Sequence, residues 1–139
     1  MNKAASVIPG LFLGMLLFGQ CTAAEDAPDC DPERGVCAKK IGDREIIFRI
    51  SPKQVKAMEE LVFSLVIRPD APSPGEISLD LSMPGMYMGE NRVLLKKSPD
   101  GTYRGKGVIP KCRSGRRLWK AAADIPGTGK VDFTFNVSY

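Results

Sequence analysis

From Arg44 to the C-terminus the chain is written in short apolar runs, each cut off by a cluster of proline, glycine, serine or aspartate. Glu76 to Met83 is the clearest of them. Ile77, Leu79 and Leu81 fall on one side of an extended chain, and Ser78, Asp80 and Ser82 on the other. A period of two cannot build an amphipathic helix, so this pattern excludes a helical bundle before any composition is considered. Similar runs cover Glu45 to Ile50, Leu61 to Arg68, Tyr87 to Lys97, Thr102 to Ile109, Arg117 to Ile125 and Lys130 to Tyr139. Turn signals separate them, Pro69 to Gly75, Ser98-Pro99-Asp100-Gly101 and Pro126-Gly127-Thr128-Gly129 among them. Gly105 and Gly107 weaken one run and hint at a bulge or an edge strand. One segment breaks the pattern: Val55, Met58 and Leu61 recur at helical spacing and predict a helical turn or more between Pro52 and Glu60. About seven strands with frequent turns predict an all-β fold, an immunoglobulin-like β-sandwich over residues 44–139.

The chain has 139 residues, enough for one domain with its own core, and no internal repeat. It contains no histidine. That removes Ser-His-Asp and Cys-His catalysis and every imidazole metal site, and no other catalytic constellation takes their place. The expectation is a protein that is not an enzyme.

The N-terminus is organised as a targeting segment over residues 1–24. Lys3 supplies a positive charge, Val7 to Phe18 is an apolar run, and Thr22 and Ala24 place small residues before a cleavage point at Glu25. The run falls short of the roughly 20 residues of a membrane span. Cys21 offers lipid attachment, and with it a membrane anchor, as an alternative, although Gln20 stands where a small residue is preferred. Each outcome exports the domain, to the periplasm or otherwise beyond the cytoplasm, and argues against a nucleic-acid partner.

Residues 25–43 carry few apolar side chains and two cysteines, Cys30 and Cys37. In an exported chain this spacing predicts a disulfide closing a small loop. Asp29, Asp31 and Glu33 nearby are too hard to join thiolates around a soft ion. Cys112 is then left over once the targeting segment is removed.

Met83, Met86 and Met88 lie around the turn Pro84-Gly85. Thioether sulfur is soft and selects Cu(I) among common biological metals. Met86 and Met88 share a face of an extended chain while Tyr87 points away, and Met83 sits on the other limb of the turn. Cys112 supplies a fourth soft ligand if the fold brings it near. The ordinary explanation is that these methionines fill the end of the sandwich or an interface.

Lys111, Arg113, Arg116, Arg117 and Lys120 crowd another connection. Such a cluster attracts anionic lipid headgroups or an acidic partner protein, though most charge runs are only solvated surface. Cys112-Arg113-Ser114-Gly115-Arg116-Arg117 is not a phosphatase loop, because Leu118 stands where that loop needs arginine. Gly127-Thr128-Gly129-Lys130 is not a phosphate loop, since Val131 replaces the hydroxyl residue that would bind magnesium. Asn136-Val137-Ser138 matches a glycosylation acceptor but lies inside the last predicted strand.

With these residues in view, the chain resembles small exported bacterial domains of the YtkA-like and FixH-like group. The likeness runs through Met83-Pro84-Gly85-Met86, Gly89 and the basic strand after it, Asp100-Gly101-Thr102-Tyr103-Arg104-Gly105, and Gly115 shortly before Trp119. It implies a β-sandwich linked to copper handling or to cytochrome oxidase assembly. Many members carry a histidine just after the Met-Pro-Gly-Met segment. Tyr87-Met88 stands there in this chain, which leaves only an all-sulfur Cu(I) site. The leading expectation is a protein that binds or delivers Cu(I), or assists assembly of a copper-dependent respiratory complex, through Met83, Met86, Met88 and Cys112. The alternative is a metal-free assembly module. It would use the Met-Tyr-Met segment and Lys111, Arg113, Arg116 and Arg117 to contact a partner protein or a membrane surface.

Overall fold

A computed structural model describes residues 27–70 and 74–139; the targeting segment expected over residues 1–24, with Cys21, lies outside them. Eight strands follow in chain order: β1 (Cys37–Ile41), β2 (Arg44–Ser51), β3 (Glu60–Arg68), β4 (Glu76–Ser82), β5 (Arg92–Lys97), β6 (Tyr103–Val108), β7 (Leu118–Ile125) and β8 (Gly129–Asn136). No helix occurs among the described residues. All pairings are antiparallel, and the strands form one sheet in the order β1-β2-β3-β6-β5-β4-β7-β8.

The sheet curls until its two ends nearly meet. Lys39 of β1 donates to the carbonyl of Asp132 in β8 at 2.6 Å, and the Cys30 N–H donates to the carbonyl of Thr134 at 3.1 Å. Curling follows from the alternation, because each strand has one apolar face and that face must leave water. Ile46, Phe48, Phe63, Leu65, Leu79 and Phe133 are among the fully buried side chains. The Phe48 and Phe133 rings stack at 5.0 Å and tie β2 to β8 across the interior.

The sheet has eight strands rather than about seven. The additional one, β1, pairs with β2 from Cys37↔Phe48 to Ile41↔Arg44 across a tight turn at Gly42, whose φ is 60°. Only Cys37 in β1 is buried, so an apolar pattern scarcely marks it. The helical turn predicted between Pro52 and Glu60 does not form. The Ala57 N–H donates to the carbonyl of Ser138 at 2.9 Å and the Met58 N–H to that of Ile109 at 2.8 Å. Met58 has a φ of 64°, outside the helical region. These amides bind neighbouring segments instead of carbonyls one turn back, and Val55 is buried against the core. Nor is β6 an edge: it lies between β3 and β5.

The register sorts the connections to two ends of the curled sheet. One end gathers residues 27–36, 52–59, 83–91 and 109–117 with the C-terminal 137–139. The candidate site lies there.

Candidate functional site

The site begins at the end of β4. Pro84 presets its own φ, and Gly85 takes a φ of 71° that a side chain would disfavour. The chain reverses in four residues, with the Met86 N–H donating to the Met83 carbonyl at 3.2 Å. Met83 continues the inward phase of Leu79 and Leu81 and is buried in the core. Met86 and Met88 are half-buried on the returning limb, and Tyr87 between them is 87% exposed. The two methionines flank an open groove of about 590 Å³ over the outer face of β4 and β7, floored by Asp80, Ser82 and Ala122.

Cys112 comes from the connection between β6 and β7. That loop is folded tightly: the Gly115 N–H donates to the Cys112 carbonyl at 3.1 Å, with a φ of 74° at Gly115. The C-terminus pins it. The Tyr139 hydroxyl donates to the Arg116 carbonyl and accepts from the Cys112 N–H, and the Val137 N–H donates to the Arg117 carbonyl at 2.9 Å. The thiol so held is buried. Its Sγ lies 3.7 Å from Met86 Sδ and 3.0 Å from Ser114 Oγ.

Of the four candidate sulfurs, the fold therefore joins Cys112 to Met86 directly. Met88 stands two residues further along the groove, and Met83 faces inward. Among the described residues, no group of three or more histidine, cysteine or carboxylate side chains is gathered to hold a metal. The soft donors brought together here are the Cys112 and Met86 sulfurs. The Cys30–Cys37 disulfide is present, closing the loop before β1.

The Ser114 hydroxyl bonded to Cys112 Sγ, together with the Ser114 backbone, holds the thiol below its ordinary pKa. Burial acts against this, and the Arg116 backbone and charge act with it. A lowered thiol pKa makes thiolate, the metal-binding and nucleophilic form, available at lower pH. Ser114→Ala should move the midpoint of the pH profile for Cys112 alkylation upward. An unmoved midpoint would show that the hydroxyl does not stabilise the thiolate.

Lys111, Arg113, Arg116 and Arg117 are exposed around the thiol. A side chain placed on Gly85 would come to 4.0 Å from the Arg116 guanidinium, so the basic loop and the methionine turn are neighbours. Ser114 and Tyr139 carry no sequence signal for these roles. One is a serine near a cysteine, and the other is 27 residues beyond the amide it accepts from. Comparison with protein-family models, curated proteins and solved structures gives no match.

Proposed function

We propose that the protein is an exported Cu(I)-binding domain of immunoglobulin-like sandwich layout. In this reading it passes the ion on or supports assembly of a copper-dependent respiratory complex. Cys112 and Met86 are the central ligands, with Met88 beside them on the same limb and Met83 serving the core.

The observation that carries this reading is the 3.7 Å separation between a buried thiol and a half-buried thioether. Metal–sulfur bonds of about 2.3 Å meeting at a tetrahedral angle put two ligand sulfurs about 3.8 Å apart. The pair needs little movement to close on an ion. The Cys112 thiol, whose deprotonated form Ser114 favours, gives up its proton readily on metal binding, and thiolate with thioether is the donor set that prefers Cu(I) to hard cations. The absence of histidine leaves Cu(II) without its usual imidazole partners.

Titrating reduced protein with Cu(I) against a competing chelator tests this. Cys112→Ser and Met86→Leu should each lower the affinity by on the order of 100-fold, the upper end of what even an outer-shell change costs at a metal site. Met83→Leu should leave it nearly unchanged. If the protein does not compete with the chelator, or if both ligand variants match the parent, the copper reading falls. The Met-Tyr-Met segment is then a contact surface for a partner protein.

A further inference from the structure

We infer that the end of the sheet bearing the basic loop rests on an anionic lipid bilayer. This does not depend on copper. It rests on the distribution of charge and apolar surface over the whole molecule.

The first observation is electrostatic. No carboxylate occurs between Asp100 and Asp124. Lys111, Arg113, Arg116 and Arg117 make no ion pair among the described residues, and Lys111 instead lies 5.6 Å from the Tyr139 ring centre. The carboxylates at this end are otherwise engaged. Asp31 pairs with Arg34, Glu59 with Lys56 and Glu90 with Arg92, while Glu33 accepts the Val55 N–H. Lys111, Arg113 and Arg116 are left facing outward without an ion pair among the described residues, while Arg117 shares its pocket with Asp31 and Glu33 but pairs with neither.

The second observation is apolar. Six large apolar side chains are exposed among the described residues, and five of them, Val36, Met58, Tyr87, Val108 and Tyr139, lie at this end. Leu94 alone lies within the span of a strand away from it. Four come from separate segments outside the strands and Val108 is the last residue of β6; they ring the rim and do not converge on one pocket. A rim of cations interspersed with tyrosine and apolar tips suits a headgroup layer, where tyrosine takes the interface and lysine and arginine meet lipid phosphate.

The third observation selects a bilayer over an acidic protein. The described chain starts at this same end: Pro28 shares a shallow pocket with Arg117, and Cys30 is bonded to Thr134 at the edge of β8. The apolar run Val7 to Phe18 and Cys21 precede that point in sequence. A lipid on Cys21, the alternative to cleavage at Glu25, would draw this end, and not the opposite one, toward the membrane.

The test uses the processed chain recovered from the cell envelope, without copper. It is sedimented with vesicles of phosphatidylcholine alone or mixed with phosphatidylglycerol. The mixed vesicles should retain it at least about tenfold more tightly, and raised salt should remove the difference. Arg116→Glu with Arg117→Glu should abolish the preference. Lys40→Glu with Arg68→Glu, an equal charge change toward the opposite end, should preserve it. Met58→Ser with Tyr87→Ser should weaken retention with the charge intact. Equal retention on both vesicles, no retention on either, or an unaffected Arg116/Arg117 variant would overturn the proposal. Capture by polyglutamate without any preference for phosphatidylglycerol would also overturn it and reassign the face to an acidic protein.

Discussion

Gly105→Ala is expected to destabilise the protein by about 3 kcal/mol, the upper part of the range for overpacking a core. The reason lies in how β6 crosses β5. Their register holds only at Lys96↔Arg104 and Lys97↔Tyr103, after which β6 runs on beside β3 while remaining pressed against β5. A methyl group on Gly105 would come to 2.4 Å from the Leu94 carbonyl oxygen, 2.8 Å from Val93 Cγ1 and 2.9 Å from Leu95 Cδ2. The nearest atom is backbone, so no rotamer change removes the clash. Two strands would have to separate at the place where the two halves of the sheet join. Gly107 makes the internal comparison. Its methyl group would meet Val93 Cγ2 at 2.5 Å, a side-chain atom, and Phe63 Cε2 at 3.3 Å. Val93→Ala should therefore recover much of the stability lost in Gly107→Ala and little of that lost in Gly105→Ala. Denaturant unfolding of the two singles and two doubles decides it. Equal rescue by Val93→Ala would mean the backbone contact is not what matters at Gly105.

That crossing shows where sequence reading stops. Glycines in a strand signal a weak or bulged element, and Gly105 and Gly107 do carry that signal. Their use, a close approach of β5 in the middle of the sheet, depends on which strands are neighbours. Local pattern was sufficient wherever one face of a strand meets the core. Ile77, Leu79 and Leu81 alternate in sequence and are all buried, and the turn at Asp100-Gly101 joins β5 to β6 as its residues require. It failed at β1, where Lys39 and Lys40 mask the alternation. It failed again at Val55 and Met58, whose helical spacing is overridden by amides bound to Ser138 and Ile109. The candidate site divides in the same way. The methionine turn is legible because Pro84 and Gly85 are adjacent to the residues they position. The Cys112–Met86 contact spans 26 residues, and nothing local to either sulfur announces it.

Reducing the Cys30–Cys37 disulfide should lower the thermal midpoint by roughly 10 °C. Opening a loop of this size releases about 2.5 kcal/mol of unfolded-chain entropy, and a domain of this length loses a few degrees for each kcal/mol. The consequence reaches beyond the loop. The segment held by Cys30 lies across the gap between β1 and β8, which no ladder bridges. There Asp29 accepts the Thr134 N–H at 2.9 Å and pairs with Lys39, while the Cys30 N–H binds the Thr134 carbonyl. Without the disulfide this clasp has only surface interactions to keep it seated, and two strand edges become available for pairing with other chains. A thiol reductant should therefore reduce stability and promote association in the parent, and should do neither in a Cys30→Ala/Cys37→Ala variant, because Cys112 is unpaired. Acid gives a second readout. Burial pushes the Asp29 carboxyl up, but hydrogen bonds from Lys39 and Thr134 outweigh it and hold the group below its ordinary value of 3.8. A depressed folded-state pKa contributes stability above the unfolded value, and that contribution disappears as the pH falls through the folded one. The oxidised protein should show this acid-sensitive component, and the reduced protein, with Asp29 detached from Lys39 and Thr134, should lose it. If reduction leaves both the midpoint and its acid dependence unchanged, the ends of the sheet are closed by the packing of Phe48 on Phe133 and not by the clasp.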